Sequence, residues 1–205
     1  MRLAVFCSGF GSNFQALIDA VRKKMLRAEI AVLVSDDPKS FAVRRAVRHG
    51  IPVCLVSPKL FETRSAWERV IVSVLRSQGT DLVVLAGFMR ILTPYFIRAY
   101  RDRVVNIHPS YLPAFKGAHA IRDAFEAGVN ETGVTIHVVT EKVDDGPILA
   151  QIKVPVLKSD TLDSLEKKIH RAEHRIYPAA VQKFIDRSFP RKRESNLIPD
   201  KGFRG

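Results

Sequence analysis

The sequence predicts an α/β protein built on a doubly wound, mostly parallel sheet with helices on both faces. Three observations carry that reading. Short runs rich in Val, Leu and Ile recur along the first half of the chain. Between them lie segments with apolar residues spaced by three and four, as on one face of a helix. A glycine-rich turn joins the first run to the first such segment, where open α/β sheets hold their ligands.

The elements follow in order. "LAVFCS" (3–8) reads as the first strand and "NFQALIDAVRKK" as the first helix. "IAVLVS" (30–35) and "PVCLVS" (52–57) are strands flanking the helix "SFAVRRAVRHG". "RSAWERVIVSVLRSQG" is the next helix, stopped by Gly, before the strands "DLVVLAG" (81–87) and "VVNIH" (104–108). Continuous apolar runs of this kind suit parallel strands covered on both faces. After Gly117 the rhythm changes. "HAIRDAFEAG" reads as a helix, and "TGVTIHVVTE" and "PILAQIKVPV" as strands joined by the turn-rich "KVDDGP". "TLDSLEKKIHRAEHRIYPAAVQKFIDR" (161–187) reads as a long helix that Pro178 should perturb. With no internal repeat and no linker, the expectation is one Rossmann-like domain over 1–186 and a basic tail over 187–205.

A chain of 205 residues has room for one such domain with a real core. Its 46% hydrophobic and 26% charged residues are ordinary for a soluble protein. The opening "MRLAVFCSGFGSN" reaches Gly and Ser too soon for a signal-peptide core, and no apolar stretch is long enough to span a bilayer. A cytoplasmic protein with no membrane partner is expected. Cys7 and Cys54 sit in strand-like runs and read as buried thiols, not as a disulfide or a nucleophile. The net charge of +12 raises the question of nucleic acid. The tail holds six Lys/Arg against two Asp/Glu, and the remaining charge is spread without interleaved aromatics. Attraction of small anionic substrates explains it equally well.

Three motifs carry chemistry. "CSGFGSNF" places Gly9 and Gly11 before a helix, where the backbone can approach an anion and amides can donate to it. A dinucleotide fingerprint needs a third glycine, with Asp36 or Asp37 then holding a ribose, but Phe14 stands in its place. Ser12 and Asn13 add capping side chains, which favours a single-phosphate site; the plain alternative is a tight turn with no ligand. In "VVNIHPSYLPAFKG", Asn106 and His108 are two apart and so point to one face at the carboxyl edge of the sheet, where Pro109 ends the ladder. An amide donor beside an imidazole suits oxyanion stabilisation and proton movement in acyl transfer. "EKVDDGP" offers Asp144 and Asp145, ordinary turn formers unless one of them reaches His108.

Together, "SGFGSN", "LAGFMRILTPYF", "NIHPSYLPAFKG" and "TGVTIHVVTEKVDDGPI" resemble the glycinamide ribonucleotide formyltransferase family, folate-dependent enzymes of purine synthesis. The likeness runs in order from Met1 to about Phe184. It implies that Gly11, Ser12 and Asn13 hold the phosphate of glycinamide ribonucleotide and that Glu173 contacts the same substrate. It implies a site for 10-formyltetrahydrofolate from Met89, Arg90, Ile91 and Leu92, with Arg64, Asn106, Val139 and Thr140. It implies a catalytic trio of Asn106, His108 and Asp144. The substrate amine then attacks the formyl carbon directly, with no enzyme nucleophile and no metal. Asn106 and protonated His108 meet the oxyanion, and Asp144 keeps His108 charged. Asp145 stands where many relatives carry a small or polar residue. His170 falls at a variable substrate-side position, and the tail, with "FPRKRES", matches nothing in the family.

Other readings are weaker. "HRAEH" (170–174) fits an inverted zinc-peptidase pattern, without a downstream ligand helix. Methionyl-tRNA formyltransferases share the N-x-H motif but append a β-barrel, and formyltetrahydrofolate hydrolases carry an N-terminal regulatory domain. An NAD(P)-dependent oxidoreductase and a nucleic-acid-binding module stand as readings of other classes. The resemblance implies a monomer or homodimer acting on two small molecules.

Overall fold

The structure, a computed structural model, describes residues 1–189. Its framework is a seven-stranded sheet. The strands are β1 (Arg2–Phe6), β2 (Glu29–Ser35), β3 (Val53–Leu55), β4 (Leu82–Leu85), β5 (Val104–His108), β6 (Glu131–Val138) and β7 (Ile148–Pro155). They lie in the order β3-β2-β1-β4-β5-β6-β7. The first five are parallel; β6 and β7 join the same sheet antiparallel. The expected doubly wound sheet is therefore present, extended on one side by a hairpin.

Alternation along the strands divides the core in two. Leu3, Val5, Leu82, Val84, Val105 and Ile107 pack against α1 (Ser12–Arg22) and α6 (Leu162–Ser188) on one face. Ala4, Phe6, Val83, Leu85 and Val104 pack on the other against α3 (Arg64–Ser77) and α4 (Pro94–Ala99). The remaining helices are α2 (Phe41–Arg48) and α5 (Ala120–Glu126). Trp67 anchors α3: its ring is fully buried and its indole N–H donates to the Val56 carbonyl at 2.9 Å. The helix α4 was not foreseen, because Pro94 starts a segment too short to show a helical period.

The long C-terminal helix runs through Pro178 without a break. A capping box starts it, with Thr161 and Ser164 each bonding the other's backbone N–H. It ends at Ser188, one residue past the expected helix (161–187), and Phe189 packs edge-on against Phe184. Residues 190–205 of the expected tail lie outside the described residues. No helix among the described residues is long and apolar enough to cross a membrane.

Candidate active site

The sheet's switch point lies between β1 and β4, whose following turns flank a crevice at the carboxyl edge. The first turn runs from Cys7 to Gly11 and opens α1. Gly11 has φ +72°, and a Cβ there would stand 2.8 Å from Ala42 Cβ, so glycine is required by conformation and by space. Ser40 caps α2 through the Ala42 amide and donates to the Gly9 carbonyl at 2.7 Å, tying the turn down from behind. Ser12 and Asn13 follow, and the first turn of α1 carries no acidic residue to answer its free amides. Asn13 is buried and donates to Glu173 Oε2 at 2.9 Å, while its own Oδ1 has no partner among the described residues. The expected substrate residues Gly11, Ser12, Asn13 and Glu173 are thus brought together.

His170 joins them, its Nδ1 donating to Glu173 Oε2 at 2.8 Å. That bond pushes the His170 pKa up, against the opposing effect of burial. His174 is shifted the other way by burial, and its Nε2 is enclosed without a partner among the described residues. The two rings lie nearly parallel with centroids 6.4 Å apart, and no metal-ligating group of three forms among the described residues. A groove of about 890 Å³ runs from Phe10 and Ser12 along α1 and α6, away from the strand β5.

The strand β5 delivers Asn106 and His108 to the sheet face opposite α6. Antiparallel pairing sets His137 directly across from Asn106 and Thr135 across from His108. The loop between β6 and β7 then folds back over this face. Gly146 permits the fold: a Cβ at that position would strike the Val138 carbonyl. Asp144, at φ +49°, points inward. Its Oδ2 lies 3.5 Å from His108 Nδ1 and accepts from the Gly117 amide at 2.9 Å, and its Oδ1 lies 3.6 Å from His137 Nε2. Burial pushes the Asp144 carboxyl up. The interaction with His137, the Gly117 amide and the charge of His108 outweigh that and hold it below the usual carboxylate range. Asp145 points outward and pairs with Lys116.

Each ring nitrogen of His108 faces an oxygen acceptor, because Nε2 donates to the Phe115 carbonyl at 2.8 Å. His137 was not anticipated. Its Nδ1 donates to the Val138 carbonyl at 3.0 Å, and its Nε2, which also faces Asp144, lies 3.2 Å from the Asn106 amide nitrogen. That contact fixes which way the carboxamide points and leaves its second N–H for a ligand. The alternation of "TIHVV" could have put His137 on the face of Thr135, but only the register places it beside Asn106.

The expected folate segment follows β4. Met89 and Ile91 are exposed, and Leu92 is buried in the core, so it offers backbone alone. The Arg90 guanidinium is held by Asp36 at 2.6 Å, which occupies the carboxylate considered for a ribose. Met89 N donates to Ser8 Oγ at 3.1 Å, linking this loop to the glycine turn. The buried Glu68 of α3 accepts from both the amide and the hydroxyl of Thr93, fixing the loop's far end. Arg64 starts α3, is exposed, and its guanidinium makes no ion pair among the described residues. Val139 and Thr140 begin the loop that carries Asp144, and the Val139 amide donates to the Val104 carbonyl at 2.8 Å.

Comparison with known proteins bears on this arrangement. The family described as formyl transferase matches residues 1–181. The chain belongs to the formyl transferase family. Within it, the chain is 40% identical over 184 residues to phosphoribosylglycinamide formyltransferase of Bacillus subtilis, covering 90% of this chain and 94% of that protein. It is 44% identical over 181 residues to the trifunctional purine biosynthetic protein adenosine-3 of Bos taurus, covering 88% of this chain but 18% of that one. Phosphoribosylglycinamide formyltransferase from Bacillus halodurans superposes with a TM-score of 0.89 at 45% identity, over 92% of this chain and 97% of that one. The family match spans β1 to α6 and so includes both turns of the crevice, the β5 pair and Asp144.

Proposed function

We propose that this chain transfers the formyl group of 10-formyltetrahydrofolate to the amine of phosphoribosylglycinamide, a step of purine synthesis. The observation that carries this is the convergence of Asn106, His108 and Asp144 between an anion-binding turn and an exposed apolar loop, in a member of the formyl transferase family.

The residues divide the work. Ser12, Asn13 and the first amides of α1 suit the ribonucleotide phosphate. Asn13 Oδ1 and Glu173 offer acceptors for donors of the same substrate. Met89 and Ile91 present exposed apolar surface for a flat pterin on the loop after β4, whose last residue, Leu85, pairs with Asn106. The amine nitrogen attacks the formyl carbon, a C–N bond forms, and negative charge gathers on the formyl oxygen. The free N–H of Asn106 and the His108 ring meet that charge. Engagement of the oxygen by His108 Nε2 exchanges its bond to the Phe115 carbonyl for one to substrate. Asp144 holds the opposite side of the ring. The amine's proton passes to the departing folate nitrogen through the His108–Asp144 pair or water, and the old C–N bond breaks.

The test is direct. Purified protein is incubated with both substrates, and tetrahydrofolate and formylated ribonucleotide are measured together. Equimolar appearance of the two is expected, with neither formed when the ribonucleotide is omitted. Folate release without an acceptor would indicate a hydrolase, and formylation of methionyl-tRNA instead would overturn the proposed acceptor.

A further inference from the structure

One buried polar group is not used by this chemistry. Tyr177 is fully buried, and its hydroxyl donates to the Leu85 carbonyl at 2.7 Å and lies 3.3 Å from the Val105 carbonyl. A phenol packed for volume alone would be better as Phe, since a hydroxyl taken from water destabilises unless it is bonded. Phe14 fills the same core layer without one. The acceptors that Tyr177 uses are specific in place. Leu85 is the last residue of β4, before the loop that carries Met89 and Ile91. The Val105 carbonyl belongs to the peptide bond that leads into Asn106. Tyr177 reaches it from the face opposite the Asn106 side chain, through the main chain.

Glu173 stands four residues earlier on α6, on the same helical face, and holds Asn13 of the anion-binding turn. One turn of one helix therefore grips three separate parts of the crevice: the turn after β1, the end of β4 and the strand β5. We propose that Tyr177 is a positioning residue for formyl transfer, setting the Asn106 peptide and the β4 loop at a fixed distance from the substrate held by Asn13 and Glu173. This rests on the transfer reaction proposed above. A displacement of about 1 Å between reacting groups can lower a rate by about a hundredfold, so a hydroxyl that never touches substrate can matter.

The test is Tyr177→Phe in the full chain, with kcat, both KM values and the 15N spectrum of the Asn106 side-chain amide. kcat should fall about tenfold or more while each KM stays within about twofold, because the sites persist and only their alignment changes. The Asn106 amide signal should move although the substituted atom lies behind the sheet. Unchanged kcat, or a loss of activity that follows KM or the folded fraction, would assign Tyr177 to packing and overturn the proposal. So would lowered kcat with an unmoved Asn106 signal. Should the variant fold poorly, the buried, hydrogen-bonded Tyr177 hydroxyl proton of the unaltered protein is followed instead. It should shift when a non-transferable formyl-folate analogue binds, and no shift would refute the coupling. If the unaltered protein transfers no formyl group, the reaction proposed above fails, while the Asn106 signal still decides whether the clamp exists.

Discussion

Asp144 and Asp145 are neighbours in the chain with opposite surroundings. Asp144 is enclosed with His108, His137 and the Gly117 amide, whereas Asp145 faces solvent and Lys116. Asp144→Asn should lower kcat/KM by about tenfold to a hundredfold, since an opposite charge leaves the ring that faces the formyl oxygen. Asp145→Asn should change kcat/KM less than about twofold. Because the Asp144 pKa is depressed, its carboxylate is fully ionised above the ordinary carboxylate range, and its contribution to stability is lost only as pH falls below that range. Denaturation against pH checks this. A ligand-binding probe at Gly11 is a poorer experiment, since φ +72° and the Ala42 methyl both oppose a side chain. Gly11→Val should destabilise the fold by about 1–3 kcal/mol, read as a lowered Tm, whether or not substrate is present. At this scale much was legible. Alternation alone paired Asn106 with His108, and helix-start chemistry picked out Ser12 and Asn13. The choice between the two aspartates needed the resemblance, because it depends on Gly146 letting the loop lie against β6. His137 depends on strand register, which no local pattern encodes.

Among the elements, α6 does the most to assemble the site, and its start is secured by charge as well as by capping. Asp160 accepts from Lys168, the Leu157 amide and Ser164, and these bonds lower its pKa to about 2, against 3.8 ordinarily. The sign follows: a depressed carboxylate stabilises above its unfolded value and stops doing so as pH falls through its folded one. Asp160→Asn should therefore lower Tm near neutrality, and the difference from the unaltered protein should shrink between about pH 4 and pH 2. A difference that persists at pH 2 would mean that the side chain acts by packing. Most elements were legible from periodicity, including the switch from helix spacing to strand alternation after Gly117. The uninterrupted course through Pro178 was not, since burial of one face of the helix against the sheet and α1 overrides a lost hydrogen bond.

In the whole molecule, every group assigned to the site or to its alignment lies between Gly11 and Tyr177, and the described chain closes with Phe189 on Phe184. A protein ended after Phe189 should keep kcat and Tm near those of the full chain, and thermal unfolding beside steady-state kinetics would check it. A large loss of turnover with the fold intact would assign the remaining residues a part in the site. That truncation removes three of the twelve net positive charges, so most of the positive field belongs to the domain itself.

The hairpin that extends the parallel sheet also bears on how the site is assembled in time. β1 meets β4 across a long stretch of chain, Leu3 beside Leu82, whereas β6 and β7 are joined by the single loop that carries Asp144. Closing a short loop takes less chain entropy than bringing distant segments together, so local pairings form first. During refolding, amides of β6 and β7 should gain protection from hydrogen exchange before those of β1 and β4. The carboxylate would then be in place on its hairpin before the strand bearing Asn106 and His108 docks beside it, and the catalytic trio would assemble from a finished half.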